Sequence, residues 1–262
     1  MARIAVAATA PFGADVLEAL ARRHEIAYLL TRPDAARGRG RKLGAPPAKQ
    51  TAERLGIPVH QPARPELPHP VDAVVVCAYG LYIPPALLDQ ALWLNVHPSL
   101  LPRWRGAAPV ERAILAGDEE TGVTIHRTVE ALDAGPIAAQ EAFAIAPEDD
   151  AGSVFARSGE VAAHLLDRVL EDPQFAEQPE EGATYAEKIG AADRELRLDD
   201  PVDAWRRVRA LSPHIGAWAM LEGRRVIVWR GRLDNGAFVP VEVQPEGRRR
   251  MSYEEFLRGV RT

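Results

Sequence analysis

The chain has 262 residues, which corresponds to one or two domains of ordinary size. Hydrophobic residues make up 47% and charged residues 26%, a composition that excludes disordered and fibrous proteins. The net charge of −5 excludes a uniformly basic nucleic-acid binder but permits a local basic patch. The single cysteine, Cys77, permits neither an intrachain disulfide nor a multi-cysteine metal site, and it is typical of a reducing cytosol.

Neither a membrane span nor a signal peptide is predicted. The longest uncharged run, residues 73–88, is interrupted by a glycine and two prolines, and it is shorter than the roughly 20 apolar residues of a spanning helix. The apolar N-terminus carries only one basic residue, Arg3, so we predict a first buried strand there rather than a signal peptide.

Short apolar runs alternate with amphipathic stretches through most of the chain. Strands are predicted at residues 4–8, 26–30, 73–77, 93–97, 123–129 and 137–145. Helices are predicted at residues 14–23, 46–56, 84–90 and 107–116, and from Asp149 or Asp150 to about residue 170. This alternation predicts a doubly wound, mostly parallel, Rossmann-like α/β sheet with its site beyond the carboxyl ends of the strands. The first turn, AATAPFG, is not a GxGxxG turn, so a dinucleotide site is not expected.

The composition changes near residue 171, where EDPQFAEQPEEG combines five acidic residues with two prolines and a glycine. Beyond it, a helix is predicted at 202–211, strands at 217–221, 226–229 and 238–243, and a closing helix at 251–260. We therefore expect a catalytic domain at 1–175, a linker at 176–200 and a small, mostly β domain at 201–262.

The segment NVHPSLLPRWRGAAP, residues 95–109, is the densest in reactive side chains. Asn95 and His97 are two positions apart on a predicted strand, so they point to the same face, and the strand ends at Pro98. Asp133 lies in a glycine-containing turn between two strands, from which it can reach His97, raise its pKa and fix its tautomer. Because the Asn95 amide can donate to a developing oxyanion, the trio suits acyl or formyl transfer without a covalent intermediate.

Other chemistries find less support in the sequence. It contains no GxSxG elbow and no HExxH pair, and GRGRKLG lacks the hydroxyl residue of a phosphate loop. His126 has threonines on its face of a strand and is interpreted as a structural histidine, whereas Trp104 could either stack on a ligand or pack internally.

Several segments, in order along nearly the whole chain, resemble the methionyl-tRNA formyltransferase family. They are TRPDAARGRGRKL (31–43), AYGLYIP (78–84), NVHPSLLPRWRGAAP (95–109), GDEETGVTIHRTVEALDAGP (117–136), YAEKI (185–189), LSPHIGAW (211–218) and VEVQPEGRRRMS (241–252). The Asn-x-His pair with a distant Asp marks the wider formyltransferase group. The RWRGAAP segment and the basic loop narrow the resemblance to the branch that acts on tRNA.

The resemblance implies roles for three sets of residues. The catalytic trio would be Asn95, His97 and Asp133. The stretch that binds 10-formyltetrahydrofolate would be Ser99, Leu100, Leu101 and Pro102. The loop that enters the acceptor arm of initiator methionyl-tRNA would contain Arg37, Arg39, Arg41 and Lys42. The C-terminal domain would be a reduced OB-like domain that also contacts tRNA. We expect a cytoplasmic monomer that uses no metal.

The charge distribution is compatible with tRNA as a partner, because residues 32–49 and 203–262 each carry a net charge of +5. Three features depart from the family pattern: Pro98, the first turn, and a short C-terminal domain in which a strand pair between residues 228 and 241 is expected to be missing. HPSLLP also occurs in relatives that formylate glycinamide ribonucleotide or amino sugars, which leaves a small-molecule formyltransferase as an alternative. A non-catalytic RNA-binding paralogue is a third hypothesis, against which the intact trio argues.

Overall fold

The computed structural model describes residues 3–37 and 42–260. Its strands are β1 Ile4–Ala8, β2 Ile26–Leu30, β3 Ala35–Arg37, β4 Lys42–Gly44, β5 Val59–His60, β6 Ala73–Cys77, β7 Leu92–His97, β8 Arg105–Gly106, β9 Glu120–Arg127, β10 Ile137–Ala144, β11 Tyr185–Ala186, β12 Ala217–Leu221, β13 Arg224–Asp234, β14 Ala237–Pro245 and β15 Met251–Ser252. Its α-helices are α1 Pro11–Ala21, α2 Pro47–Arg54, α3 Pro85–Leu88, α4 Pro109–Ala116, α5 Ala151–Glu171, α6 Pro201–Leu211 and α7 Tyr253–Val260.

A seven-stranded sheet has the order β10-β9-β7-β6-β1-β2-β5. The run from β7 to β5 is parallel, whereas β9 is antiparallel to β7. Every residue of β1 and β6 is buried, as expected for central strands covered on both faces. The predicted α/β class with a mostly parallel sheet is therefore confirmed.

For two of the helices that begin at prolines, the apolar periodicity predicted the first residue incorrectly. The helices predicted to begin at residues 14 and 107 begin at Pro11 and Pro109, because proline suits the first helical turn, where its missing N–H costs nothing. The helix predicted at 84–90 is shorter, at Pro85–Leu88. The segment predicted as one helix at 251–260 divides into β15 and α7.

Two aspartates share the start of α5, and they have different roles. Asp150 accepts the backbone N–H of Ser153 at its Oδ1 (2.9 Å), the standard cap of a helix N-terminus. Asp149 accepts the Ser153 hydroxyl (2.7 Å) and the backbone N–H of Ala146 (2.9 Å). Asp150 is therefore the capping residue, and Asp149 holds the turn that precedes it.

The described chain divides into two compact units, each assembled from three segments. The first consists of residues up to 105 together with 122–142 and 156–184, and the second of 106–121, 143–155 and 185 onward. The second unit contains a four-stranded sheet of order β12-β13-β14-β15, antiparallel throughout. The domain limits predicted at residues 175 and 200 stay a prediction.

The β13–β14 hairpin extends well beyond the short strands predicted at 226–229 and 238–243. Its turn is Asn235–Gly236, with φ of 49° and 78°. An Asn-Gly pair with positive φ at both residues is the favoured two-residue turn between antiparallel strands, and it keeps both arms paired to their ends. Among the described helices, none is long and apolar enough to cross a lipid bilayer.

Candidate active site

The pairing of β7 with β9 brings the predicted trio together. Asn95 lies opposite His126, and His97 lies at the carboxyl end of β7, opposite Thr124. The chain then leaves β9 through a turn that carries Asp133 and returns as β10. Asp133 Oδ2 is 3.7 Å from His97 Nδ1, and Asp133 Oδ1 is 3.4 Å from Asn95 Nδ2.

The backbone carbonyl of Trp104 determines the tautomer of His97. His97 Nε2 is 2.8 Å from the Trp104 oxygen, and a carbonyl can only accept, so Nε2 carries the hydrogen. Trp104 has a left-handed backbone (φ 67°), and its N–H donates to Thr184 Oγ1 at 2.9 Å, which holds this turn. The expectation that Asp133 fixes the tautomer is therefore wrong, because the nitrogen that faces Asp133 is the one without a hydrogen in the neutral ring.

Burial dominates the protonation of His97. His97 is only 4% exposed, and this desolvation holds its pKa below the ordinary 6.5, although Asp133 and the Trp104 carbonyl act in the opposite direction. The net shift is thus opposite to the rise expected from the sequence. At neutral pH the ring is uncharged and presents a lone pair at Nδ1.

This shift predicts a pH-dependent contribution to stability. Between the lowered pKa of folded His97 and about 6.5, the unfolded chain binds a proton that the folded chain does not, so stability falls as the pH falls. We expect His97→Gln to reduce the dependence of the unfolding free energy on pH in that window, measured by urea unfolding at several pH values. His164→Gln, at an exposed histidine, is the control. Parallel pH curves for wild type and His97→Gln would contradict the assignment.

His126 is a polar member of the site that the sequence interpretation missed. Its Nδ1 is 3.0 Å from the Arg127 carbonyl and must donate to it, which leaves Nε2 to accept from Asn95 Nδ2 at 3.0 Å. His126 thereby orients the Asn95 amide, with the nitrogen toward Asp133. The role of His126 follows from the strand register, which places it opposite Asn95. That register is known only once β7 and β9 are paired.

The predicted folate stretch, Ser99 to Pro102, forms a fixed loop after β7. Thr124 Oγ1 donates to the Ser99 carbonyl (2.7 Å) and accepts the Leu101 N–H (3.1 Å). The Ser99 hydroxyl donates to the Arg103 carbonyl, and both Ser99 and Leu101 are buried. Leu100 and Pro102 are half-buried, so their side chains are the parts of this stretch that remain partly accessible.

The predicted tRNA loop is an antiparallel hairpin at its base, where Arg37 pairs with Lys42. Arg39 and Arg41 lie outside the described residues. Asp34 is the single acidic residue between positions 32 and 49. Its carboxylate is held at the foot of the hairpin by Lys49 Nζ (2.9 Å) and Gln61 Nε2 (2.7 Å).

Known proteins are similar to this chain in sequence and in fold. Residues 2–170 match the Formyl transferase family. The chain is 39% identical to a methionyl-tRNA formyltransferase of Paracoccus denitrificans (strain Pd 1222), over 98% of this chain and 97% of that protein. A methionyl-tRNA formyltransferase from Clostridium thermocellum has a similar fold, with a TM-score of 0.67 at 15% identity, covering 94% of this chain and 99% of that one. HypX from Aquifex aeolicus, in complex with tetrahydrofolic acid, gives a TM-score of 0.71 at 18% identity, covering 99% of this chain and 47% of that one.

Proposed function

Because the chain belongs to the methionyl-tRNA formyltransferase family, we propose that it transfers a formyl group from 10-formyltetrahydrofolate to the α-amine of methionyl initiator tRNA. The observation that carries this proposal is the 39% identity, which extends over nearly the full length of a relative with that name. The grouping of Asn95, His97 and Asp133 at one strand end supports it. Formyl transfer needs an acceptor for the proton of the attacking amine and, beside it, a hydrogen-bond donor to the oxyanion that forms on the formyl group.

His97 and Asp133 provide two acceptors for one amine. His97 Nδ1 and Asp133 Oδ2 are 3.7 Å apart, and neither atom carries a hydrogen when the ring is neutral and the carboxyl ionised. An amine between them donates one N–H to each. As the amine nitrogen bonds to the formyl carbon, His97 Nδ1 takes its proton, and the Asp133 charge stabilises the imidazolium that forms.

Asn95 acts on the oxygen of the formyl group. One N–H of its amide is held by His126, and the other points toward Asp133 at the longer distance of 3.4 Å. A developing oxyanion is a better acceptor than this distant carboxylate, so the second N–H donates to it while His126 keeps the amide in place. When the oxyanion collapses, His97 Nδ1–H returns the proton to the departing folate nitrogen, and the histidine is neutral again.

The donor is a folate derivative, and the loop from Ser99 to Pro102 is the part of the chain that we propose holds it. This loop follows His97 directly, and Thr124 keeps its backbone in place. Half-buried Leu100 and Pro102 offer apolar surface to a flat ring. When bound, the donor supplies the formyl carbon and a nitrogen leaving group.

Formyl transfer to three acceptors distinguishes the proposed function from the alternatives. Charged initiator methionyl-tRNA, an amino sugar nucleotide and glycinamide ribonucleotide are each incubated with the protein and the folate donor, and formylated product is quantified. We expect formylation of the charged tRNA alone. Transfer to a small amine but not to tRNA would move the function to a small-molecule formyltransferase. Binding of tRNA without any transfer would indicate the non-catalytic RNA-binding protein.

The basic loop gives a second prediction that separates tRNA from small acceptors. Arg37, Arg39, Arg41 and Lys42 are interspersed with glycines, and an acceptor arm offers a row of phosphates that a small amine lacks. We expect Arg39→Ala with Lys42→Ala to weaken tRNA binding and to flatten the slope of log K against log salt by about one to two. Folate affinity should not change. Normal salt dependence and normal tRNA formylation in the double variant would remove this loop from the tRNA site.

A further inference from the structure

Part of the acidic segment 171–182, which leads into the predicted linker at 176–200, is attached to the active site. Ala176 and Ile137 exchange both backbone hydrogen bonds, at 2.8 and 2.9 Å, beside the turn that carries Asp133. Two residues further on, Gln178 is 8% exposed, and its side chain lies against that same turn. A free linker would leave this side chain in solvent, so its burial requires another explanation.

Both polar atoms of the Gln178 amide are hydrogen-bonded, and these partners determine its orientation. The guanidinium of buried Arg105 can only donate, and its Nε is 2.7 Å from Gln178 Oε1. The Gln178 nitrogen therefore faces the other way, where it donates to the carbonyls of Asp133 and Gly135, both at 3.0 Å. Arg105 is held in turn by Glu180, at 3.2 Å from Nη1.

These two carbonyls belong to a turn that needs outside support. Asp133 has a left-handed backbone (φ 47°), a conformation that residues other than glycine adopt at a cost and that persists when surrounding contacts enforce it. Gly135 is so close to the Arg127 carbonyl that a Cβ at this position would collide with it. One amide group thus joins both sides of a closely packed turn whose backbone determines where the Asp133 carboxylate points.

We propose that Gln178 is a positioning residue for the reaction: by holding the Asp133 and Gly135 carbonyls, it places the Asp133 carboxylate against His97 and Asn95. Arg105 keeps the Gln178 amide in the required orientation. The catalytic consequence rests on the proposed function, in which Asp133 acts on the amine. Gln178 itself touches no reacting atom, so its removal changes the rate only through Asp133.

A double-mutant cycle tests this coupling. We expect Gln178→Met, which keeps the length of the side chain but removes its hydrogen bonds, to lower kcat about 10- to 100-fold, since small displacements of a catalytic group cost this much. KM for both substrates should change less than twofold. In an Asp133→Asn background, which retains a residue that tolerates left-handed backbone, Gln178→Met should add less than a twofold loss in single-turnover assays. Losses that multiply in the double variant would overturn the proposal.

The matched control is Gln174→Met, in the same acidic segment. Gln174 is exposed and bonds only locally, to Asp172, so we expect wild-type kinetics. Gln178→Glu is the second variant. It keeps the acceptor for Arg105 but loses the donor to both carbonyls, so it should show the same loss of kcat. It therefore tests the proposal even if Gln178→Met fails to fold.

Hydrogen exchange separates this proposal from the proposed function, because it needs no substrate. We expect amides in residues 128–136 to exchange faster in Gln178→Met and Gln178→Glu than in wild type or Gln174→Met. Unchanged exchange there would overturn the positioning role even if the enzyme formylates tRNA. Faster exchange in a protein that does not formylate charged tRNA would uphold the role of Gln178 in the turn and reject the proposed function.

Discussion

His97→Ala is expected to lower the turnover of formyl transfer by about 10²–10⁴-fold, the usual contribution of a general acid–base group. The structure gives His97 one free lone pair, at Nδ1, because Nε2–H is committed to the Trp104 carbonyl. No other imidazole in the described site can replace it, since His126 Nε2 already accepts from Asn95. Single-turnover formylation of charged tRNA measures the loss, and titration of the folate donor should give an unchanged affinity.

The control for this substitution is a histidine outside the site. His164 is exposed on α5, and His164→Ala should keep wild-type turnover. Because His97 is buried, thermal melting must show that His97→Ala still folds. Turnover within a few-fold of wild type in a well-folded His97→Ala protein would show that the proton of the amine goes elsewhere, and the mechanism would be wrong.

Asn95→Ala is expected to lower kcat by about 10²–10³-fold, the loss that follows removal of one hydrogen-bond donor to an oxyanion. His126 holds the amide so that a second N–H is available at the reacting carbon. This donor acts mainly when the oxyanion develops, so KM for the donor and for tRNA should change little. Steady-state and single-turnover kinetics on the same preparation measure both parameters.

Asn95→Asp is the matched comparison for that prediction. Its side chain has the same size, but it puts a carboxylate where the donor stood, beside Asp133, and a negative charge there opposes an oxyanion. We expect Asn95→Asp to be at least as slow as Asn95→Ala. Near-normal turnover in Asn95→Asp would exclude the amide as the oxyanion donor and leave the formyl oxygen to another group.

Local patterns in the sequence determined much of this protein's architecture. The apolar run at Ala73–Cys77 predicted a fully buried strand, and the structure places β6 at those same residues. A strand that is buried on both faces has apolar residues at every position, and this pattern can be read directly from the sequence. The two-residue spacing of Asn95 and His97 placed both side chains at one strand end, since alternation along a strand is a local property. The first residues of two helices were predicted less accurately, because a proline in the first turn, and not the apolar periodicity, determines where each helix begins.

Only the tertiary structure decided how the site residues are oriented. The tautomer of His97 depends on the Trp104 carbonyl, which is presented by a left-handed turn seven residues further on. The role of His126 follows from the pairing of β7 with β9, and the Asp133 turn is held by Gln178, 45 positions away in the chain.

The physical reason is that secondary structure follows from short-range periodicity and backbone preference. The partner of a buried hydrogen-bonding group, by contrast, is chosen by whichever distant segment packs against it. That choice reversed the expected direction of the His97 pKa, because its sequence neighbours could not reveal how completely the folded chain removes the ring from water.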